Sequence, residues 1–338
     1  DDLDGYGTTE YIGHYCESYV GGSTNSLDCD DTNAAINPVA FERNDGVDSN
    51  CDGDASAFSI AYLESGHSHS VVGTHFGRYL DSYDIDGDGL TELVVSQKSY
   101  DSDETAGLVN EGKVIWIEGD RPPDFSDLAQ ESRYWTGELE DELYGIWAGD
   151  MDGDSVPDLM LASRSKNNNA GEIYLVSSQA DAGLATTQAT WTWAVPDSTI
   201  RLGSSLLRVG DVDADGLDDV LVGATHLSTN GSNRGGVFLL RGSDVGVSTD
   251  LTTNAVLHGP TNGDQLGYCL ERAGDVDGDG QLDVLSTAYY ADQYETSAGL
   301  VVLFPVADLL TEGLTIADTI RFHGVAEKDK AGAQLAGL

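Results

Sequence analysis

The sequence predicts an all-β protein built from repeated four-stranded blades, a β-propeller, on three observations. An acidic nine-residue motif recurs four times at first-Asp positions 84, 150, 211 and 275, giving spacings of 66, 61 and 64 residues. Short apolar runs of strand length and strand composition follow each copy. Helical periodicity is absent from these runs. A fixed period of about 60 residues that holds four short strands is what a propeller blade looks like in sequence.

The motif copies are Asp84-Ile-Asp-Gly-Asp-Gly-Leu-Thr-Glu92, Asp150-Met-Asp-Gly-Asp-Ser-Val-Pro-Asp158, Asp211-Val-Asp-Ala-Asp-Gly-Leu-Asp-Asp219 and Asp275-Val-Asp-Gly-Asp-Gly-Gln-Leu-Asp283. Each carries carboxylates at positions 1, 3, 5 and 9. These are Asp84, Asp86, Asp88 and Glu92; Asp150, Asp152, Asp154 and Asp158; Asp211, Asp213, Asp215 and Asp219; Asp275, Asp277, Asp279 and Asp283. Alternate carboxylates, a tight turn and one further oxygen ligand suit a hard cation with several oxygen ligands. The position-7 backbone carbonyl, from Leu90, Val156, Leu217 or Gln281, is the expected fifth donor, with the position-9 carboxylate bidentate. An all-oxygen donor set of this number favours calcium over magnesium, which keeps several waters. The second copy is the weakest, because Ser155 stands where the other copies have Gly and Pro157 stiffens the loop exit.

Residues 1–55 form a different region. Asp2, Asp4, Asp28, Asp30, Asp48, Asn50 and Asp52 crowd a segment with Cys16, Cys29 and Cys51 and little apolar content. Such a segment buries too little surface to fold unaided, so metal or disulfide staples are expected. Three cysteines leave an odd number, and the pairing stays open. From residue 56 to 338 the repeat takes over. Phe76-Gly77, Tyr144-Gly145, Leu202-Gly203 and Leu266-Gly267 precede the acidic loops. Strands are expected directly after each loop, then behind Gly112, Gly171, Gly236 and Gly299, then in closing runs such as Ala255-Val-Leu-His258 and Thr319-Ile-Arg-Phe-His323.

The formal charge of −43, from 59 acidic and 16 basic residues, excludes nucleic acid as a partner, because phosphate binding needs a basic footprint. It would also strain a compact fold unless cations offset it. No apolar run of about 18 residues occurs, so no transmembrane helix is expected. The chain opens inside an acidic pattern without Met, as an excised or matured piece would. Clustered cysteines point to an oxidising, extracellular or cell-surface setting.

Phe76-Gly77, the Asp-x-Asp-x-Asp-Gly loops and the Gly-led strands together resemble the FG-GAP repeats of the integrin α-subunit propeller. The resemblance covers residues 56–338. It implies that each loop joins the first and second strands of a blade and binds calcium on the lower rim. It further implies that the four complete blades are part of a seven-bladed ring, with more sequence downstream or a partner that closes it. Asp28-Cys-Asp-Asp31 and Asp48-Ser-Asn-Cys-Asp-Gly53 resemble the Asp/Cys-rich, thrombospondin type 3-like calcium repeats of bacterial secreted proteins. These resemblances imply a non-enzymatic protein that meets a protein or glycan ligand at the cell surface, or copies of itself in a filament or layer. A polysaccharide-cleaving propeller is the rival reading. Its paired carboxylates would be Asp141/Glu142 and Glu138/Glu140, read here as a solvated rim. His67-Ser-His69 with His75 could hold a transition metal, and Trp191 and Trp193, alternating along one run, could form an exposed ligand platform; Trp116 reads as core.

Overall fold

A computed structural model describes residues 29–30, 32–33, 36, 47, 51, 76–85, 91–100, 110–117, 133–138, 140–195, 199–228, 232–247, 251, 256–310 and 314–335. They fall into two compact units, one holding the described residues up to position 51 and the other those from 76 onward.

The second unit is four antiparallel sheets in chain order. The first has β1 (Phe76–Tyr83), β2 (Glu92–Gln97), β3 (Lys113–Ile117) and β4 (Arg133–Thr136). The second has β5 (Tyr144–Gly149), β6 (Asp158–Ser163), β7 (Glu172–Ser177) and β9 (Trp191–Ala194). The third has β10 (Leu202–Gly210), β11 (Asp219–Ala224), β12 (Gly236–Leu240) and β13 (Val256–His258). The fourth has β14 (Leu266–Gly274), β15 (Asp283–Ala288), β16 (Leu300–Pro305) and β17 (Ile320–His323). One short strand, β8 (Gly183–Leu184), pairs in parallel with β4 of the preceding sheet. Every acidic motif lies between the first and second strands of its sheet, and its ninth residue opens the second strand.

The sheets stack face to face, which explains why their middle strands read as continuous apolar runs. Successive side chains of a strand point to opposite faces. In β6, Leu159 and Leu161 enter the core shared with the first sheet, beside Val114, Trp116 and Trp135. Met160 and Ala162 enter the core shared with the third, beside Leu206, Val222 and Phe238. In β11 the split recurs, with Val220 and Val222 in one core and Leu221 in the next. Trp193 is fully buried in β9 and Trp191 packs against the same cluster, so the pair forms part of a core and no exposed platform. Trp116 is core, as its strand position implies. On the outer face of the fourth sheet, Val276, Ile320 and Phe322 remain exposed.

Adjacent sheets are joined by a repeated backbone seam. The N–H groups of Glu142 and Leu143 donate to the carbonyls of Asn110 and Glu111. The same pair of bonds links Arg201 and Leu202 to Asn169 and Ala170, Gln265 and Leu266 to Asn233 and Arg234, and Lys330 and Ala331 to Ser297 and Ala298. Both flanks turn through left-handed backbone, with φ of 69° at Asn169 and 54° at Arg201. A glycine sits at each contact. A Cβ on Gly171 would lie 2.2 Å from the Leu202 carbonyl oxygen, and one on Gly235 2.2 Å from that of Leu266. Only glycine lets the two backbones approach this closely.

Candidate metal centre

Three of the four acidic loops grow out of a strand that breaks register just before the loop. The β5–β6, β10–β11 and β14–β15 ladders all shift at their last pair, where Gly149, Gly210 and Gly274 take φ near +80°. This bulge turns the chain out of the sheet and hands it to the position-1 carboxylate.

That carboxylate then organises the turn. Asp150 accepts the Gly153 N–H on one oxygen (2.8 Å) and the Ser155 N–H on the other (3.0 Å). Asp211 accepts Asp215 (3.1 Å) and Gly216 (3.0 Å), and Asp275 accepts Gly278 (2.7 Å) and Gly280 (2.9 Å). The position-5 carboxylate holds the next corner. Asp154, Asp215 and Asp279 accept the N–H of Val156, Leu217 and Gln281 at 2.8, 2.9 and 2.8 Å. Among the described residues, no N–H donates to the carbonyls of Val156, Leu217 or Gln281.

Left-handed backbone is needed at two loop positions, not only at position 6. Gly153, Ala214 and Gly278 occupy position 4 with φ of 79°, 61° and 83°, and Ser155, Gly216 and Gly280 occupy position 6 with 67°, 93° and 86°. Ser155 and Ala214 are therefore held where a side chain costs about 1–2 kcal/mol.

Position 9 is common to all four copies. The N–H at position 2 donates to it each time: Ile85 to Glu92 (2.8 Å), Met151 to Asp158 (3.0 Å), Val212 to Asp219 (2.8 Å) and Val276 to Asp283 (2.7 Å). All four acceptors are buried. One oxygen of each is thus engaged by the loop's own backbone. The other oxygen of Asp219 accepts the Gly242 N–H at 3.0 Å, whereas Oδ1 of Asp158 is buried without a partner. Burial, with Asp152, Asp154 and Asp150 adding repulsion, pushes the Asp158 carboxyl up to about 8. Burial and the charges of Asp213 and Asp215, opposed by the Val212 and Gly242 N–H groups, raise Asp219 to about 6.

The side chains converge. Ligand atoms of Asp150, Asp152 and Asp158 lie within 4.8 Å of one another, as do those of Asp211, Asp213 and Asp219 and those of Asp275, Asp277 and Asp279. The buried, unpartnered Oδ1 of Asp158, in a carboxylate grouped with those of Asp150 and Asp152, fits a hard cation. In the first copy, Asp84 and Glu92 are described, and Asp86, Asp88 and Leu90 lie outside the described residues.

In the N-terminal unit, Cys29 and Cys51 form a disulfide, which settles the pairing that sequence left open. Asp30 accepts the Thr32 N–H at 3.2 Å and its hydroxyl at 2.6 Å. Asp2, Asp4, Asp28, Asp48, Asn50, Asp52, Cys16 and the His67, His69 and His75 group lie outside the described residues. Three of the four carboxylates offered as a catalytic rim, Glu138, Asp141 and Glu142, are engaged by other residues, and Glu140 is exposed. Asp141 is buried and accepts the Glu138 N–H at 2.7 Å, so it is no part of a solvated rim. Glu142 pairs with Lys98 (3.2 Å) and Arg164 (3.3 Å), and Glu138 with Lys166 (2.6 Å).

Comparison with known proteins follows the same division. The FG-GAP repeat family matches residues 272–304, around the fourth acidic loop. The Cu-binding MopE metal-binding motif matches residues 28–56. Integrin alpha-PS5 of Drosophila melanogaster is 28% identical over 168 residues, 47% of this chain and 16% of that protein. Integrin alpha-X of Mus musculus is 28% identical over 173 residues, 50% of this chain and 14% of its own length. Integrin alpha-IIb of Homo sapiens is 34% identical over 94 residues, 28% of this chain and 9% of its own. The matched region is thus a small part of each relative.

Proposed function

We propose that this integrin α-like FG-GAP propeller is an extracellular, calcium-stabilised interaction module, with no catalytic role of its own, that binds a protein or glycan partner. The observation that carries the metal reading is the buried, unpartnered Oδ1 of Asp158 beside Asp150 and Asp152. Calcium would be held by positions 1, 3 and 5, the position-7 carbonyl and the position-9 carboxylate, which in Asp158 keeps an unpartnered oxygen. Bound there, it supplies charge compensation rather than chemistry. The protein's own residues do the rest: the position-1 carboxylate folds the turn, and the position-9 carboxylate ties that turn to the start of the second strand.

The integrin resemblance supports adhesion or protein recognition as the use of this scaffold. The Cys29–Cys51 bridge supports an oxidising setting and a separate N-terminal module over residues 1–55, with the propeller over 56–338. No helix among the described residues is long and apolar enough to cross a membrane. The seven-bladed ring belongs to the same reading, and the exposed apolar face bearing Val276, Ile320 and Phe322 supports a further blade packed there. The metal reading is tested by thermal unfolding. Excess chelator should lower Tm sharply, because an ion that binds only the folded form stabilises it by mass action. Identical melting curves with and without chelator would end it.

A further inference from the structure

Positive charge is scarce in this chain, with 16 basic residues against 59 acidic ones. Five of those sixteen surround one cavity of about 690 Å3: Arg78, Arg164, Arg201, Arg208 and Arg272. The walls come from the first strands of the four sheets, β1, β5, β10 and β14, together with residues 333–335. The cavity therefore lies along the axial side of the blades, away from the outer strands.

Nearby acids offset only part of this charge, with the Arg208 guanidinium acting on Asp81 against the effect of that carboxyl's burial. Arg164 pairs with Glu142 at 3.3 Å. Among the described residues, Arg78, Arg201, Arg208 and Arg272 make no ion pair. The two carboxylates in the lining are already engaged: Asp81 accepts the Trp147 N–H at 2.8 Å, and Glu271 accepts the Arg272 backbone N–H at 3.1 Å. Aromatic faces hold two guanidinium groups in place. The Arg208 guanidinium carbon lies 4.0 Å from the Tyr83 ring centre, and that of Arg78 5.9 Å from Tyr79. Neighbouring groups feel the accumulated charge: Lys98 is held below the usual lysine range, first by burial, then by Arg164, with Arg78 adding to it and Glu142 opposing. In a chain with so many surface carboxylates, guanidinium groups could be paired at little cost. Gathering five of them around one concavity, four without an ion pair among the described residues, raises the local positive potential and favours an anion there.

The ligand's size and character follow from the walls. The volume that these four blades enclose falls within the roughly 300–1,000 Å3 common for small-ligand sites. Arginine presents a planar fork that matches a carboxylate bidentately. The rings of Tyr144 and Tyr268 and the side chains of Ile146 and Leu270 add apolar surface, and Gln265 and Gln334 add amides. The remaining charge of the molecule repels a long polyanion, so a compact anion is favoured.

We infer that the axial cavity is a binding site for a compact carboxylate-bearing sugar, of the uronate class, gripped by Arg201, Arg208 and Arg78. The site shares no residue with the acidic loops and does not depend on what they bind.

The test is calorimetry and saturation-transfer NMR on the full chain in calcium buffer, with D-glucuronate, D-glucose and succinate as probes. Glucuronate should bind at one site, at least about tenfold more tightly than glucose, and should weaken as salt rises. The Arg201→Gln/Arg208→Gln pair should lose about tenfold or more, and the corresponding Lys pair less, because it keeps the charge but not the fork. Should the double variant misfold, as judged by near-UV circular dichroism, exposed Arg78→Gln serves in its place and should weaken binding. Equal binding of glucose, tighter binding of succinate, no binding of glucuronate, or undiminished binding by a folded variant would each overturn the assignment.

Discussion

Replacing Asp213 with Asn separates an ion-binding loop from an acidic turn that only looks like one. The carboxylate of Asp213 accepts the Asp215 N–H at 3.3 Å through Oδ1, a bond an amide oxygen can keep. What Asn removes is charge. Ligand atoms of Asp211, Asp213 and Asp219 lie within 4.8 Å of one another. Two like charges at that distance repel by about 1 kcal/mol in water-like surroundings and about 3.5 kcal/mol at an effective dielectric near 20. Asp213 is half-buried, so the lower figure applies, and with two neighbours the relief is about 2 kcal/mol. In chelator, Asp213→Asn should therefore raise Tm by about 4–8 °C. In calcium the sign changes, because a lost carboxylate weakens the ion. Each tenfold loss of affinity costs about 1.4 kcal/mol of ion-derived stability, and a hundredfold loss outweighs the relief. Paired calorimetric melts, with calcium and with chelator, read both arms. An equal fall in Tm in both buffers would mean that Asp213 is structural and the loop holds no ion.

Three further outcomes follow from the geometry. Gly171→Ala places a Cβ 2.2 Å from the Leu202 carbonyl and should cost at least about 3 kcal/mol by denaturant titration, whereas Gly216→Ala meets open space and should cost only about 1–2 kcal/mol. Ser155→Gly keeps the N–H that bonds Asp150 and relieves φ of 67°, so it should gain about 0.5–1 kcal/mol by the same titration. Burial first, then Arg201 and Arg234 respectively, holds His226 and His258 below the usual histidine value. The unfolded chain then takes up these protons more readily, so this contribution is present above the ordinary histidine pKa and is lost as pH falls below it. Tm in calcium should drop from pH 7.5 to 5.5 by less in a His226→Gln/His258→Gln variant.

The strands and the loops were legible because both obey local rules. Carboxylates at alternate positions, and apolar runs with no polar alternation, state their burial directly. The position-9 residue could be named as a candidate ligand from spacing, but its bond to the position-2 N–H arises only when the strand turns back, so no pattern announced it. Ala214 hid the second left-handed position, since a non-glycine there breaks the visible Gly pattern. Trp191 and Trp193 misled because alternation was read as one exposed face, when in a stacked sheet both faces are covered. The arginine cavity was scattered over almost 200 residues of sequence. One trace of it was available: Arg208 and Arg272 each precede their acidic loop by three residues, where Asp81 and Trp147 stand in the other copies.

The repeated seam has a consequence for how such a chain can change over generations. Each joint uses two backbone hydrogen bonds and a glycine, and almost nothing that depends on side-chain identity. A duplicated unit that keeps its core-facing side chains therefore arrives with a working joint on both flanks, whatever its solvent-facing surface has become. Copy number and surface sequence can drift independently, and a newly copied blade is free to take on new specificity while its neighbours keep the old.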